Sequence, residues 1–73
     1  MPEASEALSA EARQVVDSHK GQPIQKAIDA IDYDDWILSM KDHMDAEDFR
    51  QSRAYMEARH YLEGVRREGA ETV

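Results

Sequence analysis

The chain has 73 residues, no cysteine and a net charge of −7. That length allows one small domain with a thin core, and the absence of cysteine excludes a disulfide framework or a thiolate zinc site. The acidic balance disfavours direct nucleic-acid binding through phosphate neutralisation, and no run approaches the roughly 20 apolar residues that span a bilayer.

Ala, Glu, Arg, Met and Gln are plentiful while aromatic and β-branched residues are few. The predicted fold is therefore all-α. It is a single domain over 1–73, a small bundle of three to four helices with one long C-terminal helix at about 45–68. Residues 1–8, rich in Ala, Ser and Glu, read as a mobile tail. A first helix starts at Ser9 as N-cap, carries Ala12, Val15 and Val16 on one stripe, and stops near His19 or Lys20 ahead of Gly21 and Pro23.

Pro23 suits the first turn of a second helix, with Ile24, Ala27, Ile28 and Ile31 at helical spacing. A second apolar set follows at Tyr33, Trp36, Ile37, Met40 and Met44, about 160° out of phase with the first. That jump predicts a break near Asp32, which would then cap the next helix. The alternative is one continuous helix buried on two sides.

The stretch from Asp45 to Glu68 predicts the long helix. Asp45 is its N-cap with acids in the first turn, Arg66 and Arg67 lie in the last turn, and Gly69 follows as a left-handed stop. Ala54, Tyr55, Ala58, Tyr61, Leu62 and Val65 form one face; Phe49, Met56 and His60 form the opposite one. Two apolar faces call for a sandwich or a partner. After Glu68, residues 69–73 should fray. The expected core draws on Ile24, Ile28, Ile31, Trp36, Ile37, Met40, Tyr55, Ala58, Leu62 and Val65.

Charge is uneven along the chain. Between Asp29 and Asp48 eight acids stand against Lys41 alone, a net −7; between Arg50 and Arg67 five arginines stand against Glu57 and Glu63, a net +3. The arginines answer acids within the fold or across an interface, where their planar fork suits carboxylates.

No constellation carries chemistry well. Asp32, Asp34 and Asp35 begin like a calcium loop, but Ile37 stands where glycine is needed and His43 where the closing glutamate belongs. Their bland reading is helix capping and a solvated face. Glu57 and His60 form one Glu-x-x-His step, which would need a symmetric dimer to build a ferritin-like di-iron site. Otherwise Glu57 makes surface ion pairs and His60 extends the Phe49/Met56 stripe. His19, His43 and His60 have no nucleophile or paired carboxylate at a telling spacing. No enzyme and no cofactor are expected.

The run from Ala46 to Arg66, with Phe49, Arg53, Tyr55, Tyr61, Leu62 and Glu63-Gly64, resembles the C-terminal part of small helical tailed-phage accessory proteins. It implies a virus-encoded protein, either a virion component or a regulator of host machinery. No functional residue carries over from it.

The expected function is a non-enzymatic, acidic protein–protein interaction module. It would bind and regulate or inhibit a larger nucleic-acid-handling host protein, such as RNA polymerase, in the host cytoplasm. The alternative is a virion structural or assembly component acting through self-association, with a homodimer as its simplest form. The expected partner is a protein with a basic surface, not nucleic acid or a membrane. The candidate binding residues are Asp32, Tyr33, Asp34, Asp35 and Trp36, with Phe49, Met56 and His60 on the long helix. Both Trp36 and the methionines can serve either as adaptable contacts or as core.

Overall fold

The computed structural model describes residues 8–73. Three helices follow one another: α1 (Ala10–Asp17), α2 (Ile24–Ser39) and α3 (Ala46–Arg67). The all-α bundle with the longest helix last is as expected, and no helix among the described residues is long and apolar enough to cross a membrane.

Local chemistry sets most of the helix ends. The Ser9 hydroxyl accepts from the Ala12 amide at 3.1 Å and donates to Glu57 Oε2 on α3 at 2.7 Å, so one side chain both caps α1 and ties it to α3. At α3 the Asp45 carboxylate accepts from the Asp48 amide at 2.8 Å, and the Asp48 carboxylate accepts from the Asp45 amide at 3.2 Å. This reciprocal capping box satisfies two amides that helix geometry leaves open. Lys41 reaches back to Asp48 at 2.7 Å, and that hydrogen bond is the main reason the Asp48 carboxyl is held below its ordinary range. At the other end, Gly69 takes φ +106°, its amide donates to Arg66 O at 3.0 Å and the Ala70 amide to Val65 O at 3.0 Å. Those two bonds complete a Schellman stop.

Three expectations are corrected. The helix beginning at Ser9 ends at Asp17 rather than near His19 or Lys20. Tight turns carry the chain from there to Gly21 at φ +85°. More important, α2 runs unbroken through Asp32. Arg59 Nη1 donates to Asp32 at 2.6 Å and Ser52 Oγ to Asp35 at 2.8 Å, so α3 holds the aspartates that were expected to cap a new helix. Asp costs at most about 0.7 kcal/mol inside a helix, less than the backbone hydrogen bonds a break would give up. Finally, the segment after Gly69 does not fray. Gly21 N donates to Val73 O at 3.0 Å, Val73 N to Gln22 O at 2.9 Å and Ile24 N to Glu71 O at 2.9 Å, around an antiparallel bridge between Pro23 and Thr72. Ala70 and Val73 pack on the core, as does Leu8; residues 1–7 of the expected N-terminal tail lie outside the described residues.

The buried core is Ala12 and Val15 from α1, Ile24, Ala27, Ile28 and Ile31 from α2, and Ala54, Ala58 and Leu62 from α3. Four alanines among them let the helices approach closely, and α3 packs against both neighbours. Tyr55 and Val65, expected in the core, are half-buried and pack against it from the rim. Trp36, Ile37 and Met40, expected in the core, are exposed instead. The smallest dimension of the molecule is 17 Å, room for two helix layers at the usual spacing of about 8–10 Å but not three. With no third layer, the outer faces of α2 and α3 stay in water.

Glu57 supplies a pH test of the α1–α3 tie. The Ser9 hydrogen bond is the largest cause holding its carboxyl below the ordinary value. Its contribution is therefore fully present above about pH 4.5 and lost as pH falls through the lower folded value. Glu57→Gln should lower the unfolding midpoint more near pH 6 than near pH 3, read by urea titration at each pH. An equal deficit at both would show that the carboxylate charge contributes nothing to the tie.

Candidate functional site

Helical spacing places Tyr33, Trp36, Ile37 and Met40 along one stripe of α2, opposite Ile24, Ile28 and Ile31. Their exposures are 60%, 56%, 45% and 62%. The rings of Tyr33 and Trp36 lie 5.9 Å apart between centroids, tilted by 45°, so each limits the other's rotamers. Around this stripe stand exposed carboxylates at Asp29, Asp32 and Asp34.

The three aspartates of the 32–35 run do not converge. Successive helical residues diverge by 100°. Asp32 turns to Arg59, Asp35 to Ser52, and Asp34 lines the side of α2 nearest α1 together with His19 and Tyr55. Among the described residues no group of three or more His, Asp or Glu is placed to hold a metal ion. Glu57 of the Glu-x-x-His step is taken up by Ser9 and Arg53.

Of the candidate residues, Tyr33 and Trp36 form one aromatic pair with Asp32 and Asp34 beside them. Asp35 is half-buried against α3 and serves the fold. Phe49, Met56 and His60 are exposed on the outer face of α3, with Phe49 at 61% and Met56 at 46%. Ile37 and Met40 belong to the α2 stripe although their hydrophobicity had placed them in the core. The signal for them was the 160° phase offset itself, since a short, continuous helix has only one side to bury. Beside the stripe, Tyr33, Asp34, Ile37, Leu38, Lys41 and Tyr55 line a shallow open recess.

No protein-family model, curated protein or solved structure matches the chain.

Proposed function

We propose that this chain is a non-enzymatic binding module that sets the acidic, aromatic outer face of α2 on a basic protein surface. The observation that carries the reading is the exposed Tyr33–Trp36 pair, continued by Ile37 and Met40 and bordered by Asp29, Asp32 and Asp34. Burying each large apolar side chain is worth about 1.5–3 kcal/mol, and tryptophan and tyrosine are the residues on which binding energy most often concentrates. The carboxylates contribute orientation and rate, steering the face towards positive potential. Proteins that handle nucleic acid carry such surfaces, so the partner class is a larger nucleic-acid-handling protein, with RNA polymerase as one member. The resemblance of residues 46–66 to tailed-phage accessory proteins supports a host protein as the target and the host cytoplasm as the place.

The test is capture from bacterial lysate on immobilised wild-type chain, Trp36→Ala and Asp34→Lys, each checked for helical content. The expected result is a basic nucleic-acid-handling protein on the wild type, lost with added salt. It should fall at least about tenfold on Trp36→Ala. Equal recovery on all three chains overturns the reading.

A further inference from the structure

We infer that the cleft between α1 and the second half of α2 takes an arginine and a large aliphatic residue set four positions apart on a helix of a basic protein. That protein is the partner of the proposed function, on which this inference rests. What is added is the pair of residues it inserts and the place that receives them.

Helix α1 packs on α3 and makes little contact with α2, so a trough stays open between α1 and α2. It has two compartments, which share Asp34 of α2 and Tyr55 of α3. The smaller, of 220 Å³, lies against α1 and has Gln14 and Gln51 among its walls. The larger, of 470 Å³, runs along α2 beside Tyr33, Ile37 and Leu38. Ligand sites usually measure about 300–1,000 Å³, so the larger compartment admits part of a bound segment and the smaller a single side chain.

Charge selects what enters the smaller compartment. Asp32 and Asp35 are engaged by α3, whereas Asp34 is exposed and takes no hydrogen bond or ion pair from any described residue. Lys41, the cation of the larger compartment, is held by Asp48 at 2.7 Å. Glu11 adds a second carboxylate, although it also borders Arg50 and Arg53 in a neighbouring notch, and His19 Nδ1 lies 3.0 Å from Gln22 Oε1. Asp34 is thus an unanswered charge beside an aromatic ring and two glutamine amides, Gln14 and Gln51, that no described residue engages. That set fits a guanidinium better than an ammonium. The carboxylate takes two N–H groups side by side, the amide oxygens accept others, and the flat cation stacks on the tyrosine ring.

Spacing selects the second residue. Asp34 and Leu38 are one helical turn apart on α2, about 6 Å along its axis at 1.5 Å per residue. A ligand helix lying along the cleft repeats that distance between residues four apart. An arginine on Asp34 therefore sets its aliphatic neighbour against Ile37, Leu38 and Tyr55. Trp36 and Met40 line neither compartment, so the cleft and the outer face grip the partner from two sides of one helix.

Nuclear magnetic resonance titration of the full chain with the acetylated, amidated peptide Leu-Ala-Ala-Ala-Arg-Ala-Ala-Ala-Leu tests this; a leucine on each side of the arginine serves either direction of the helix. Saturable shifts centred on Asp34, Leu38 and Tyr55 are expected, with a dissociation constant of about 3 mM or below. Binding should weaken at least about fivefold with Asp34→Asn, and at least about threefold when lysine replaces the peptide's arginine. Trp36→Ala, which lies outside the cleft, should leave it within about twofold. No saturable binding, indifference to Asp34→Asn, or a lysine peptide that binds as well as the arginine one overturns the inference. A chain that binds the peptide as expected but captures no basic protein leaves the arginine cleft standing and overturns the proposed function. A chain whose capture of a basic protein falls with Trp36→Ala, but which binds no arginine peptide, overturns the inference alone.

Discussion

Leu62→Ala should destabilise the domain by about 2–5 kcal/mol, while Trp36→Ala should cost less than about 1 kcal/mol. Leu62 is 1% exposed and is the largest buried side chain of α3; Trp36 is 56% exposed on the outside of α2. A leucine removed from a packed interior loses its transfer energy and leaves a cavity that its neighbours fill only partly. The core it belongs to includes Ala27, Ala54 and Ala58, which have no side chain to move into a gap. A chain this short rarely holds more than about 3–5 kcal/mol, so Leu62→Ala removes most of its stability. Urea unfolding followed by circular dichroism should show the wild type and Trp36→Ala with similar midpoints and Leu62→Ala largely unfolded before denaturant is added. If Trp36→Ala falls as far as Leu62→Ala, the indole is part of the core and cannot be the anchor of a binding face.

That contrast marks where the sequence could be read and where it could not. The ends of α3 were legible because they are local chemistry: Asp45 and Asp48 cap each other, and Gly69 takes the left-handed stop within a few residues of Arg66 and Val65. Its inner face was legible because Ala54, Ala58 and Leu62 repeat at helical spacing. The second half of α2 was harder. Periodicity shows that Tyr33, Trp36, Ile37 and Met40 share a side, but not whether that side is wet. Assuming that both α2 stripes had to be buried produced a break at Asp32 and a core containing Trp36. The fold has two layers, so only the Ile24–Ile31 stripe is covered. The same fact brings Tyr33, Trp36, Asp32 and Asp34 together as a surface group and adds Ile37 and Met40 to it. Asp35 could not be separated from its neighbours without knowing that Ser52 faces it across the seam. The C-terminal segment was illegible for a related reason. Gly-Ala-Glu-Thr-Val has the composition of a loose end, and what holds it is a pairing with residues some fifty positions earlier.

Removing Ala70–Val73 should therefore cost about 2–4 kcal/mol and lower the melting temperature by about 10–30 °C. Four backbone hydrogen bonds go with the segment: Gly21 to Val73, Val73 to Gln22, Ile24 to Glu71 and Ala70 to Val65. Each is worth roughly 0.5–1.5 kcal/mol net, and the apolar contacts of Ala70 and Val73 with the core add to them. The position matters more than the count. Gly21, Gln22 and Ile24 form the turn between α1 and α2, and Pro23 supplies no side-chain cap to α2. Glu71 O therefore takes the place of a cap by accepting the Ile24 amide. Without it the first turn of α2 opens to water, and Ile24, 4% exposed, loses part of its cover. Amide hydrogen exchange should show the change locally, with Gly21 and Ile24 losing protection before Ala58 and Leu62 do. Val73→Ala separates the two contributions, because it keeps all four backbone bonds and removes only two methyl groups. It should retain most of the stability that truncation loses. A truncated chain that melts within about 2 °C of the full one would mean that the segment rests on the turn without supporting it.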